Sequence, residues 1–204
     1  RVVLMGMGEP AHNLDNVIEA IELLGREGGI GHKNLVVSTV GDRRLFERLP
    51  LGTVRPALAL SLHTTRADLR QWLLPHAPQI APDELVALGE AYARRTGYPI
   101  QYQWTLLDGV NDTPEEVAGL VRLLAGKYAI LNLIPYNTVP GLDFRRPERE
   151  RAEAIAASLQ RQGILTKLRN SAGQDIDAAC GQLRARATNA PAAKRAQRCQ
   201  AQPL

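Results

Sequence analysis

The fold is decided by the stretch Val2-Val3-Leu4-Met5-Gly6-Met7-Gly8-Glu9-Pro10, in which an apolar run ends in a glycine-rich turn. Glycine lets the backbone approach a ligand closely, and Pro10 keeps the chain from continuing as a strand. An amphipathic helix is predicted next, from Asn13 to Leu24. We therefore expect Glu9 at the C-terminal end of a strand, where parallel α/β proteins place their ligands. A plain strand-to-helix turn with a solvated Glu9 is the alternative.

The alternation of an apolar strand and an amphipathic helix continues along the chain. Further strands are predicted at 35–40, 57–63, 101–107, 129–135 and 164–169, and further helices at 43–49, 68–74, 82–95, 113–124 and 148–162. Asn13 is predicted to cap the helix that it precedes, and Thr113-Pro114-Glu115-Glu116 is predicted to form a capping box with Pro114 at the first helical position. This order predicts an α/β fold with a parallel sheet and right-handed crossovers. There are too few units for a closed eight-stranded barrel, so we expect a partial, open one.

Composition and charge restrict the class of protein. The 204 residues carry 25 basic and 21 acidic side chains, which weakly favours an acidic partner such as RNA. No apolar stretch reaches the length of a membrane span, and no signal peptide is recognisable, so we expect a cytoplasmic protein without a membrane partner. Because the chain opens on Arg1, we also expect it to begin inside a larger protein.

The domain prediction divides the chain into a core at residues 1–183 and a basic, disordered tail at 184–204. The tail holds five basic residues and no acidic one, and it is rich in Ala, Gln and Pro. Non-specific attraction to RNA phosphate and a solvated end without a role are both left open for it.

Polar side chains follow the predicted strands at the point where each strand ends. They are Glu9, Ser38 with Thr39, Ser61 with His63, Asp108, and Asn137. Each has a simpler explanation, such as a helix cap for Ser38 or an ordinary loop histidine for His63. Since the carboxyl ends of parallel strands meet at one edge, the set together predicts a site there.

The two cysteines, Cys180 and Cys199, form neither a zinc pattern nor a disulfide framework. Cys180 lies in the polar segment 170–183, between Ala179 and Gly181, where a nucleophilic thiol would be uncrowded. An incidental cysteine is the alternative at this stage. No phosphate-binding loop or nucleophile elbow is present.

Four stretches resemble the RlmN/Cfr family of radical S-adenosylmethionine (SAM) enzymes, which methylate adenosine in RNA. They are Gly6-Met7-Gly8-Glu9-Pro10 with Asn13, Ser61-Leu62-His63, Asn132-Leu133-Ile134-Pro135-Tyr136-Asn137, and Asp175-Ile176-Asp177-Ala178-Ala179-Cys180-Gly181-Gln182-Leu183. The last is the most specific, whereas Gly-Glu-Pro after a strand is shared more widely among radical SAM enzymes. The resemblance covers residues 2–183 and implies a partial (β/α)6 barrel that is incomplete at its N-terminal end.

The resemblance also implies roles for particular residues. Contacts with SAM are implied for Gly8, Glu9, Ser38, Ser61, Leu62, His63 and Asn137. Cys180 matches the cysteine that is methylated as an intermediate. The family's CxxxCxxC ligands of a [4Fe-4S] cluster, its resolving cysteine and its N-terminal accessory domain have no counterpart here. We therefore expect no metal ligands in this chain, and Cys199 matches no family residue.

The activity implied by the resemblance is methylation of adenine C2 in large-subunit rRNA and possibly tRNA, through methylated Cys180. The full-length enzyme would need an electron donor for its cluster and would act as a monomer, whereas the chain alone would be inactive. Methylation at C8, and a truncated or divergent member that binds RNA or SAM without catalysis, are the alternatives within the family. A barrel enzyme acting on a small phosphorylated metabolite is a further alternative, although no glycine-rich phosphate loop follows the late strands.

Overall fold

The computed structural model describes residues 1–5, 8–138 and 142–169. Several predictions fall outside the described residues. They concern Gly6, Met7, the segment 170–183 with Cys180, and the tail 184–204 with Cys199, and hence the proposed division at residue 183.

Six parallel strands form one sheet in the described part of the chain, and their spatial order is the order of the sequence. The strands are β1 (Val2–Leu4), β2 (Leu35–Thr39), β3 (Ala57–Ser61), β4 (Ile100–Leu106), β5 (Ala129–Pro135) and β6 (Thr166–Leu168). This arrangement confirms the predicted α/β fold with five β–α repeats and a final strand. Strands 57–63 and 164–169 were predicted too long, because Leu62 and His63 leave the ladder and only three residues of β6 pair with β5.

Helices connect consecutive strands. They are α1 (Leu14–Arg26), α2 (Arg43–Arg48), α3 (Ala67–Leu73), α4 (Pro82–Thr96), α5 (Pro114–Leu124) and α6 (Arg149–Arg161), with short 3-10 helices at Pro10–Asn13, His32–Asn34 and Leu49–Leu51. Among these described helices, none has the length and apolar character that a membrane crossing requires.

The two faces of the sheet differ in chemistry. On β4, the side chains of Tyr102 and Trp104 are fully buried in the core that the helices cover. Gln103 alternates with them and therefore lies on the opposite face. The strand register places Ser61 on one side of Gln103 and Asn132 on the other. A row of polar side chains thus crosses the sheet on the face turned away from the main core.

The two predicted helix caps differ from expectation. The side chain of Asn13 makes no cap hydrogen bond and instead accepts one from the Asn16 amide at 2.6 Å. Glu9 caps the preceding 3-10 helix, so the chain is already turning before α1 begins. Thr113 does cap α5, because its hydroxyl accepts a hydrogen bond from Glu116 N–H at 3.4 Å. The carboxylate of Glu116 does not complete a capping box, since it reaches the loop after β3.

Candidate functional site

The predicted SAM contacts all lie at or near the carboxyl ends of their strands. Gly8 and Glu9 follow β1, Ser38 is the penultimate residue of β2, Ser61 ends β3 with Leu62 and His63 next, and Asn137 follows β5. Two subsets are joined directly, namely Glu9 with the end of β2 and His63 with β4. Asn137 is held separately, because its side-chain oxygen accepts a hydrogen bond from Arg146 Nη1 at 2.9 Å.

Glu9 fastens the end of β1 to the end of β2. One carboxylate oxygen accepts hydrogen bonds from Ala11 N–H at 3.1 Å and from the Thr39 hydroxyl at 2.7 Å. The other oxygen accepts from Val40 N–H at 2.8 Å. The carboxylate is therefore committed to the protein, so its expected role at the ligand is to position the glycine turn. The alternative of a solvated Glu9 is wrong.

His63 adopts a left-handed backbone conformation with φ of 62°, which is uncommon for a residue with a side chain. Its ring Nδ1 accepts a hydrogen bond from Thr105 N–H at 3.0 Å. Burial of the imidazole, reinforced by the nearby charge of Arg70, lowers the pKa of His63 to about 4. At neutral pH the ring is consequently neutral, and its proton is on Nε2, which is a hydrogen-bond donor.

Asn111 holds the backbone of His63 in this conformation. The Asn111 side-chain amide donates to the carbonyl oxygens of His63 at 2.7 Å and of Thr105 at 2.8 Å. Its carbonyl oxygen accepts from Leu107 N–H at 2.8 Å. Asn111 is buried with every polar group of its side chain paired, which rigidifies the contact between the ends of β3 and β4.

Glu116 anchors the next two residues of the same loop. Its carboxylate accepts hydrogen bonds from the hydroxyl of Thr64 and from both the N–H and the hydroxyl of Thr65, the latter two at 2.7 Å. Glu116 and Thr64 are both buried. The loop after β3 is thus fixed from β4 and from α5 at once.

Arg70 is a buried cation at this edge, with 3% of its surface exposed. Its Nη2 donates to the carbonyl oxygens of Val40 and Ser61, which are at the ends of β2 and β3. Its Nε has no hydrogen-bond partner among the described residues, and burial lowers the pKa of the guanidinium. Arg70 satisfies backbone oxygens that the strand ladder leaves unpaired.

Sequence reasoning assigned no role in the site to Arg70, Asn111 or Glu116. The stretch 108–112 was predicted to be a loop with Asp108 among the polar strand-end residues, and Glu116 was predicted to complete a capping box. The nearest signal for Arg70 was its position on the short helix predicted at 68–74, which follows the Ser61–His63 stretch. The side-chain partners of the three residues are between 4 and 52 positions away in sequence, and most of these contacts needed the tertiary structure.

The unpaired polar groups fit a polar nucleoside such as SAM. The side-chain hydroxyls of Ser38 and Ser61 make no hydrogen bond within the described residues, and both residues are partly exposed. A Cβ placed on Gly8 would meet nothing within 4 Å, so open space adjoins the glycine turn. The described residues contain no group of three His, Cys, Asp or Glu side chains that could hold a metal ion.

Comparisons with known proteins find probable RNA methyltransferases that are similar to this chain. The chain is 75% identical to a probable RNA methyltransferase of Azoarcus sp. (strain BH72) over 91% of its own length and 54% of that protein. A probable RNA methyltransferase of Methylibium petroleiphilum is 73% identical over 92% of the chain and 53% of that protein. The chain therefore spans about half the length of the curated relatives it matches. No family model matches it.

The fold is similar to that of a radical SAM methyltransferase from Sphaerobacter thermophilus. The TM-score is 0.84 at 38% sequence identity, with 91% of this chain and 55% of that one covered. A domain of a pyruvate-formate lyase-activating enzyme from Bacteroides vulgatus shares the fold with a TM-score of 0.65 at 18% identity. That likeness covers 83% of this chain and 98% of the domain. The predicted barrel type is confirmed by these similarities.

Proposed function

We propose that this chain is the SAM-binding core of a radical SAM methyltransferase that acts on RNA. The premise is its high identity to probable RNA methyltransferases together with its fold similarity to a radical SAM methyltransferase. Because the chain spans about half of those relatives, the proposed activity is that of the larger enzyme in which such a core works.

The observation that carries the proposal is the rigid loop Ser61–His63 at the carboxyl edge of the sheet. A left-handed His63 is held by Asn111, the following threonines are held by Glu116, and the carbonyl of Ser61 is held by Arg70. Each of these contacts uses a buried polar side chain to fix the same short loop. Such preorganisation is typical of binding sites, because it lowers the ordering cost when the ligand arrives.

The chain's own residues would hold SAM in three places. The backbone at Gly8 would accept hydrogen bonds from the amino-acid end, with Glu9 positioning the turn. The hydroxyls of Ser38 and Ser61 and the Nε2–H of neutral His63 would bind its polar groups, with Asn137 at the end of β5. Because the side chain of Leu62 is buried in the main core, this residue would contribute only its backbone. When bound, SAM supplies the methyl group. We propose that an iron-sulfur cluster is bound outside the described residues.

We further propose Cys180 as the first acceptor of the methyl group. A thiolate is a good nucleophile for a sulfonium methyl. The new carbon–sulfur bond would form as the methyl–sulfonium bond breaks, which releases S-adenosylhomocysteine. Adenine C2 is an electron-poor carbon with no lone pair, so it cannot take the methyl by this displacement. The proposed target of this route is adenine C2 in large-subunit rRNA, with tRNA as a further candidate substrate. The proposed enzyme is cytoplasmic and monomeric, and it receives electrons from an external donor.

Two alternatives share the same site. Methylation at adenine C8 would use the same SAM contacts and the same thiol, so residues 1–204 do not separate it from C2 methylation. A non-catalytic member would bind SAM or RNA and leave Cys180 unmethylated.

The test uses the full-length enzyme and a Cys180→Ala variant, with Cys199→Ala as the matched control. We expect Cys180→Ala to abolish RNA methylation with RNA affinity largely unchanged, and Cys199→Ala to remain active. Mass spectrometry of the active enzyme should find one added methylene mass on the peptide that contains Cys180. Mass spectrometry of the digested RNA should place the methyl group at adenine C2. Continued C2 methylation by Cys180→Ala would exclude the thiol route, and a methyl at C8 would select the alternative.

A further inference from the structure

Three aromatic side chains form a connected cluster at the carboxyl edge of the sheet. The ring of Trp72 on α3 packs edge-to-face on Phe144, with centroids 5.5 Å apart and an interplanar angle of 82°. Phe144 packs in the same way on Tyr136, at 5.9 Å and 80°. We call Trp72, Phe144 and Tyr136 the aromatic platform. Its outer member is open to solvent, since 61% of Trp72 is exposed, whereas Tyr136 is buried.

The platform is attached firmly to the candidate site. Tyr136 directly follows β5 and precedes Asn137, and its N–H donates to Leu106 O at 3.1 Å at the end of β4. The stretch that carries Phe144 is tied to the same edge, because Asp108 N–H donates to Arg145 O at 2.9 Å. Trp72 belongs to the helix whose Arg70 holds the carbonyl of Ser61. The platform is therefore continuous with the edge where the SAM contacts are proposed.

Two arginines, Arg145 and Arg146, directly follow Phe144 in sequence, and Asp143 precedes it. The side chain of Arg145 is 82% exposed and lies 3.6 Å from the carboxylate of Asp108, which is too long for a tight ion pair. Arg146 donates to Asn137. The exposed indole of Trp72 offers a face for stacking, and the exposed guanidinium of Arg145, on the residue after Phe144, offers a charge for phosphate. Proteins use this combination to bind single-stranded nucleic acid.

We propose that the aromatic platform binds an unpaired base of the RNA by stacking on Trp72, next to the nucleotide that enters the site. The inference rests on the proposed RNA methyltransferase function and adds the place where the substrate is held. An unpaired base fits better than a duplex, because bases in a duplex are already stacked on each other and proteins recognise RNA duplexes by shape. It also fits better than an apolar protein partner, because Arg145, which directly follows Phe144 of the platform, carries an exposed charge.

The chain has two tryptophans, which makes a direct test possible. Trp104 is fully buried, so a ligand that stacks on the surface can quench only Trp72. The probe is a labelled single-stranded oligoribonucleotide rich in adenosine. The comparison probe is the same RNA with abasic sites, which keeps the phosphates and removes the bases. Affinity is measured by fluorescence anisotropy and stacking by tryptophan emission, both on the full chain without methylation.

We expect the intact RNA to quench part of the emission and the abasic RNA to bind more weakly without quenching. Trp72→Ala should weaken binding of the intact RNA about tenfold, within the range measured for base–aromatic stacking. Trp72→Phe should recover most of that loss. The matched control is Tyr128→Ala, which removes a partly exposed aromatic residue at the opposite end of β5 and should leave RNA affinity unchanged.

Native affinity in Trp72→Ala, or equal binding of intact and abasic RNA, would overturn the platform and leave the proposed methyltransferase function standing. If Trp72 emits as a buried indole does before RNA is added, and RNA does not change its emission, another part of the chain covers the platform. That result also overturns the proposal. RNA binding too weak to detect in the full-length enzyme, with SAM binding retained, would count against RNA as the substrate class and against the platform together.

Discussion

Glu116 and Thr65 are 51 positions apart in sequence, yet the carboxylate of Glu116 accepts two hydrogen bonds from Thr65, both at 2.7 Å. One comes from the backbone N–H and the other from the hydroxyl. Because a third hydrogen bond comes from Thr64, the carboxylate is surrounded by donors. The first turn of α5 therefore determines the course of the loop after β3, which carries the central part of the proposed SAM site.

Glu116→Gln should destabilise the protein by about 1–3 kcal/mol in free energy of unfolding, because the new amide group would face donors and leave a buried group unpaired. The measurement is urea denaturation. Glu115→Gln is the matched control, since Glu115 is exposed on the same turn and should change stability by less than about 0.5 kcal/mol. Equal stability of the two variants would contradict the role given to Glu116.

Arg70→Lys should also lower the free energy of unfolding, by about 1–3 kcal/mol, although it keeps the charge. A single ammonium on a flexible stem does not reproduce the guanidinium that holds Val40 O and Ser61 O together. Arg66→Lys is the control, because Arg66 is exposed and its Nη2 pairs with the carboxylate of Asp68, which is also exposed, at 2.5 Å. If thermal and urea denaturation find Arg70→Lys as stable as the native chain, the guanidinium geometry is unimportant.

His63 should make stability depend on pH below neutrality. Its pKa is about 4 in the folded state against 6.5 for the free side chain, so only the unfolded state gains a proton as pH falls between these values. The stabilisation is complete above 6.5 and is lost as pH falls towards 4. At about 1.4 kcal/mol for each pH unit, the total loss is on the order of 3 kcal/mol.

The variant for this prediction is His63→Asn, because asparagine tolerates the left-handed conformation and keeps an acceptor for Thr105 N–H. Urea denaturation at a series of pH values should find a flatter profile for His63→Asn than for the native chain. His76→Asn, which replaces an exposed histidine, should retain the native profile. Parallel profiles for the native chain and His63→Asn would show that another group titrates.

Glu9→Ala should weaken SAM binding, as measured by calorimetry on the full-length enzyme. The carboxylate holds the glycine turn against Thr39 and Val40, so its loss should release the backbone at Gly8. We expect a loss of about tenfold, since hydrogen bonds to a charged group contribute about 1.5–3 kcal/mol each and part of this is recovered by water. Glu19→Ala, on the exposed face of α1, is the control, and equal affinity of the two variants would remove Glu9 from the site.

The order of strands and helices followed from the sequence because it depends on local pattern. Alternation along β4 and the apolar stripe of α1 each reflect one buried face, and both patterns are visible in a single segment. Where a side chain had a choice of partners, the prediction was less accurate. Asn13 and Glu116 were both placed correctly at helix starts, but Asn13 bonds Asn16, and Glu116 bonds across to the loop after β3.

By itself, the sequence determined the parallel α/β fold and the edge of the sheet at which polar residues gather, because hydrophobic periodicity and turn residues act over a few positions. Only the tertiary structure decided what holds that edge in shape. Arg70, Asn111 and Glu116 act on residues that lie elsewhere in the chain, and long-range hydrogen bonds leave no periodic trace in the sequence. The neutral state of His63 belongs to the same category, since burial and a neighbouring charge exist only once the chain has folded.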